Sequence, residues 1–453
     1  MSKRFSVILV TLLLVGSLLS AQTTINLGQT DIENSISGLL EGTATSDGTF
    51  SLSFSPDLSF NKFSFQLDIK VKGTYATDPF GLDFDFSHWQ PPVREEGQTD
   101  KEYRTAVLKQ YSSLVRYAQW GQRYETVYIR YGKLSGITLG DGAILNGYFD
   151  KGVSVRASRP GLDIMLDGLI LDIPNAGFEF ITNDIFEPTL LVWRIYARPL
   201  YQYENFTTLS RIEVGVSYAE NPTSTYEPVE NLDDLAQHNR KLMNIDLSIP
   251  MIDWEYLNLA FFTNMLLQTP DLYEKQPGFA LRYGLWGHSK SLIVFNASLT
   301  IPTFGIYYAD YFESGFESLT YEGLNNSIIT LGTTRIDALM ALNFSNAGAY
   351  LRGRIRSDYK DGEYSNYRFM ANARIDKRLF NIVSLDLSYE KLYPTNTGER
   401  FFKGLSTLRN VEIAATAIVK VKPYSFDIGL SMVFDDEAQS TLQVDTAVRI
   451  SIL

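Results

Sequence analysis

Six arginines recur at every second position or on neighbouring apolar-polar runs: Arg335, Arg352, Arg354, Arg356, Arg368 and Arg374, with Asp386 and Glu390 on the run that follows. A guanidinium stays charged at any physiological pH and offers a rigid fork of donors to carboxylates and other oxyanions. Two chemistries suit such a file. Along a water-filled passage it would set a field that orients polar solutes and tunes ion selectivity, whereas paired with nearby acids it would stiffen a wall and transport nothing.

Other chemistry has few candidates. The chain has no cysteine, which removes disulfides, thiolate metal sites and thiol nucleophiles. His88, His238 and His288 are far apart in expected loops, and neither Gly-x-Ser-x-Gly nor His-Glu-x-x-His occurs, so a Ser-His-Asp arrangement would need long-range assembly. Gly132 to Gly142 is glycine-rich but lacks the Gly-Lys-Ser/Thr ending of a phosphate loop, and it predicts a kinked strand and tight turn. No enzyme, cofactor or metal is expected.

Residues 1–21 combine Lys3 and Arg4 with an apolar run from Phe5 to Leu19 and small residues before Gln22, the pattern of a cleavable signal peptide ending at Ala21. Cleavage takes two cations from a chain of formal charge -12, leaving -14. Such an acidic chain has no general electrostatic route to nucleic acid. Residues 22–453 contain no run of about 18 apolar residues that would span a bilayer as a helix.

The elements that must position the arginines are strands. From Lys62 to Lys72, Phe63, Phe65, Leu67, Ile69 and Val71 share one face and the polar residues the other. The same alternation returns at 347–356, 366–375, 383–390, 410–421 and 442–452. Breaks such as Ser46-Asp47-Gly48 and Lys360-Asp361-Gly362 carry hairpin residues, which makes successive strands antiparallel neighbours. Residues 73–122 form the longest stretch without such alternation. It predicts an acidic aromatic portion and then an amphipathic helix with Tyr103, Val107, Tyr111, Leu114 and Ala118 on its apolar face, either folded inward as a constriction or packed as an external cap.

A cleavable signal, repeated two-faced strands of about ten residues, aromatic strand ends and unequal loops resemble the porin-like class of bacterial outer-membrane β-barrels. The chain departs from that pattern at its non-aromatic end, Ile450-Ser451-Ile452-Leu453. The resemblance implies an all-β fold: one closed antiparallel transmembrane barrel of about 16–20 strands over 22–453, with one long, partly helical loop at 73–122. It implies passive diffusion of small polar solutes or ions past the residues named above, in contact with outer-membrane lipid and after insertion by the barrel-assembly machinery, with a homo-oligomer as one arrangement. Two alternatives stand beside it, a non-conducting structural, adhesive or receptor barrel and a soluble exported β-rich ligand-binding protein.

Overall fold

The computed structural model describes residues 35–451 apart from 45–48, 78–79, 87–88, 150–159, 169–174, 204–206, 223–240, 270–276, 290–291, 309–311, 313–327, 345–348, 376–382, 393–407, 422–423 and the single positions 124, 133, 147, 255, 306 and 436. The expected signal peptide, His88, His238, the Ser46-Asp47-Gly48 turn and the last two residues lie outside the described residues.

Most of the chain is strand. In chain order these are β1 (Ser35–Ala44), β2 (Thr49–Phe60), β3 (Phe63–Leu67 and Ile69–Thr77), β4 (Val115–Trp120), β5 (Val127–Gly132), β6 (Gly161–Asp167) and β7 (Ala176–Thr182). There follow β8 (Leu191–Ala197), β9 (Glu213–Glu220), β10 (Lys241–Trp254), β11 (Leu257–Gln268), β12 (Gly278–Ser289), β13 (Ile293–Phe304) and β14 (Thr334–Phe344). The last are β15 (Ala349–Lys360), β16 (Glu363–Ile375), β17 (Val383–Leu392), β18 (Val411–Val421), β19 (Tyr424–Phe434) and β20 (Ser440–Ser451). Each pairs antiparallel with its successor, and the ladder returns to its start, because Ser37 to Glu41 of β1 pair with Ser451 to Ala447 of β20. One sheet of 22 strands contains this circuit. It reduces to 20 places because the two segments of β3 share one, and the strand Phe80–Asp85 pairs only with the upper part of β3.

Connections differ between the two ends of the circuit. Those at 78–114, 133–160, 305–333 and 393–410 are long, while 61–62, 255–256 and 422–423 at the opposite end are short, and β1 begins and β20 stops at the short-turn end. Asn61 and Asp361 take the left-handed backbone conformation that such tight turns require.

The segment 73–122 differs from expectation in both halves. The helix α1 (Asp100–Ser112) is there, started by a capping box in which Thr99 and Glu102 exchange backbone and side-chain hydrogen bonds. It stops before Leu114 and Ala118, since Val115-Arg116-Tyr117-Ala118-Gln119-Trp120 alternates and pairs with β3 as β4, where Ala118 stands opposite Phe65. No residue of α1 is buried. Its Lys109 reaches Glu187 in the connection between β7 and β8, on the side of the long connections. Residues 73–77 and 80–85 are strand as well.

Candidate functional site

Exposure is inverted relative to a water-soluble sheet protein. On β10, Met243 and Ile245 are exposed while Asn244 and Asp246 are buried; on β15, Leu351 and Ile355 are exposed while Arg354, Arg356 and Asp358 are buried. Because successive side chains alternate across a strand, one face of the circuit is apolar and open and the other is charged and enclosed. Aromatic residues gather towards the strand ends of the open face. Phe60, Phe63 and Trp120 are register neighbours at the short-turn end, and Tyr359 and Tyr364 pair across the β15–β16 hairpin at the other, with ring centroids 4.9 Å apart.

Part of the enclosed space is filled by the chain itself. The segment following β5 turns back through Ser135–Ile137 and Tyr148–Phe149, which pair with each other, and its glycines Gly140 and Gly142 sit at positive φ. Its Leu134, Leu139, Ile144 and Leu145 are buried against Ile181, Val192, Leu242 and Leu266 on the inward faces of β7 to β11, joined by Tyr307, Phe312 and Ile329 from the 305–333 connection. Each such burial is worth roughly 1.5–3 kcal/mol against exposure to water. Asp141 at the tip accepts hydrogen bonds from Asn264 Nδ2 at 2.6 Å and Arg282 Nη1 at 3.1 Å. The turn expected at Gly132–Gly142 is there. That the segment folds inward was not foreseen; a run of apolar residues without alternation, between two good strands, was the signal.

The arginine file is distributed as follows. Arg335 lies directly opposite Asp358 and donates from Nε to Oδ1 at 2.6 Å and from Nη2 to Oδ2 at 2.8 Å. Arg354 and Arg356 share Asp337, at 2.9 Å from Arg354 Nε and 3.0 Å from Arg356 Nη2. Arg368 pairs with Glu390 at 2.7 Å and Arg374 with Asp386 at 2.8 Å. Both acids named with the file are thus its partners. Arg352 makes no ion pair among the described residues and is half-buried. Arg335 and Arg356 are each 5% exposed, whereas the Arg374 side chain is 61% exposed. The inner members are thus ion-paired and largely enclosed, Arg352 is partly exposed and Arg374 is the most exposed of the file.

A second charged cluster was missed by sequence reasoning. Arg194 on β8 meets Glu179 at 3.3 Å, Glu213 at 2.8 Å and Asp246 at 2.6 Å, while Arg123 bridges Asp163 and Glu179 at 2.7 Å each. Asp246 is two strands away from Arg194. The pair closes over Gly215 on the strand between, where an added Cβ would stand 2.5 Å from Asp246 Oδ2 and 2.8 Å from Arg194 Nη2. Only glycine leaves that path open. His288, expected in a loop, lies on β12, and among the described residues no three acids or histidines are grouped to hold a metal ion.

A strand circuit that returns on itself, with an apolar exterior, aromatic ends and a charged interior, is the architecture of an antiparallel β-barrel whose outer face suits a bilayer. No protein-family model and no curated protein matches the chain. Among solved structures, it is similar to Wzi of Escherichia coli, an outer-membrane protein involved in group 1 capsule assembly and described as a carbohydrate-binding β-barrel (10% identity, TM-score 0.35, covering 97% of this chain and 87% of that one). It is also similar to OccK11 (OpdR) of Pseudomonas aeruginosa (8% identity, TM-score 0.35, 95% and 98% covered) and to OccK2 (OpdF) of the same organism, solved with glucuronate (9% identity, TM-score 0.33, 93% and 95% covered).

Proposed function

We propose that the chain is a closed transmembrane channel for passive diffusion of small polar solutes or ions, with its passage running beside the inward faces of β15 to β18. The carrying observation is an unequal interior. Inward side chains of β7 to β12, such as Val192, Ala219, Asn264 and Ala280, are buried beneath the in-folded segment, while Arg374 and Glu412 on β16 and β18 stay exposed. The short-turn end, where β1 begins, is the periplasmic one, and α1 caps the outer mouth. Selectivity comes from size and from the accessible charge of Arg352, which favours anions, since Arg374 is matched by Asp386. Arg335, Arg354, Arg356 and Arg368 act with Asp337, Asp358 and Glu390 as a rigid backing. Catalysis has no role in this reading.

Single-channel recording of the detergent-purified chain in planar bilayers tests it. Steady conductance with an anion preference that falls in Arg352→Ser supports the passage and its accessible wall. Insertion without conductance replaces it by a non-conducting barrel, and solubility without detergent removes the membrane reading.

A further inference from the structure

The wall is not of even height. β4 and β5 have 6 residues each and β6 to β8 have 7 each, whereas β10 to β13 have 12 to 14. A tilted strand needs about 9–11 residues to cross the apolar band of a bilayer. The arc from β4 to β8 is therefore short by about three residues, roughly 10 Å along the strands.

Beside that arc, at the rim, stands α1. Tyr131 of β5 shares the outward face with Ile129 and Trp120, which oppose each other in register and are both exposed. The Tyr131 side chain shares a hydrogen bond with that of Ser112 at the end of α1, and Lys109 reaches Glu187 above β7. The helix thus leans to the outward side of the rim, over the strands that are too short.

Its two faces differ. Tyr103, Ala106, Val107 and Gln110 are half-buried, and Gln110 Nε2 donates to the Gln90 carbonyl oxygen at 2.6 Å. Lys101, Arg104, Leu108 and Tyr111 follow at the three- and four-residue steps that share a helix face, and all four are exposed, Leu108 by 61%. Other charges of the helix are matched, Asp100 by Arg94, Lys109 by Glu187 and Glu102 by the backbone N–H of Thr99. Lys101 and Arg104 make no ion pair among the described residues. A stripe of two unmatched cations followed by two side chains with apolar bodies suits the edge of a bilayer, where cations meet headgroup phosphates and leucine and tyrosine enter the acyl boundary.

We infer that α1 docks on the bilayer beside β4 to β8 as an interfacial helix, with Lys101 and Arg104 on the phosphates of anionic lipid headgroups and Leu108 and Tyr111 at the acyl boundary. The helix thereby covers the height that the short arc leaves. This rests on the transmembrane reading of the barrel and needs no conductance.

Because the chain has no natural cysteine, Leu108→Cys, Ile245→Cys and Glu363→Cys can each carry one environment-sensitive fluorophore. In phosphatidylglycerol vesicles containing a spin-labelled lipid quencher, Leu108→Cys should be quenched together with Ile245→Cys on the outward wall. Glu363→Cys, beside the exposed Asp361-Gly362 turn, should not be. Exchange of phosphatidylglycerol for phosphatidylcholine, or Lys101→Glu with Arg104→Glu, should lower the ratio of quenched to unquenched Leu108→Cys emission by about tenfold or more, since each cation beside an anionic surface is worth about fivefold. Arg104→Lys should keep the ratio. A Leu108→Cys probe that stays wet while Ile245→Cys is quenched, or one quenched equally in the two lipids, overturns the inference and keeps the barrel. A probe shielded from aqueous iodide yet untouched by the lipid quencher also overturns it, in favour of contact with another protein chain. If Ile245→Cys escapes quenching too, this inference and the transmembrane reading fall together.

Discussion

Asp337 shows how single side chains set the properties of the wall. It neutralises Arg354 and Arg356 together, and β15 places Arg356 directly opposite Arg368, which is neutralised in turn by Glu390. Without Asp337, Arg354 and Arg356 would lose a shared carboxylate beside Arg368. Asp337→Asn should therefore raise anion preference, seen as a shift in reversal potential under a potassium chloride gradient. It should also destabilise the barrel by roughly 3–5 kcal/mol, since buried charge is left unmatched, seen as a lower denaturation midpoint. Arg352→Ser should shift the reversal potential the other way at little cost in stability. The file itself was legible because period-two spacing puts Arg352, Arg354 and Arg356 on one face. Which of them would be free was not, because Asp337 and Asp358 reach them only through strand register. The Arg194 cluster was hidden for a stronger reason: Glu179, Glu213 and Asp246 come from three other strands, and the Asp246 contact depends on a missing side chain at Gly215.

The in-folded segment decides where the open space lies. Its apolar side chains and the Asp141 bonds to Asn264 and Arg282 hold it against one arc of the wall. The natural absence of cysteine makes this easy to probe. Leu145→Cys should resist a water-soluble thiol reagent, whereas Ala414→Cys, inward beside Ser388 by register, should react and reduce the current. Equal reactivity at both would mean the segment does not stay docked. The strands at 62–72, 347–356, 366–375, 383–390, 410–421 and 442–452 were legible because two-faced alternation is plain in them, whereas β5 to β14 were not read one by one. The segment was not legible, since glycines and scattered apolar residues look the same whether a turn projects outward or folds within. Likewise α1 was expected to run through Ala118, because Val115 to Trp120 offers apolar residues at helical and at strand spacing, and only pairing with β3 chooses between them.

Over the whole molecule, the apolar exterior makes a prediction that a soluble fold would contradict. Ile245→Arg replaces an exposed side chain, a change worth little in water. Facing lipid it should cost roughly 2–4 kcal/mol, measured by unfolding in phospholipid vesicles, and Asn244→Ala on the opposite face should not share that dependence on lipid.

The circuit closes where β1 meets β20, over five register pairs against the ten that join β1 to β2. Every other seam joins strands close in sequence and can form as the chain is delivered. This one links residues more than four hundred positions apart, and its loop entropy must be met before the interior is sheltered at all. Until that last zipper engages, two bare strand edges and the whole charged interior face the surroundings, so maturation of this protein is a race between self-closure and capture of its edges by other chains.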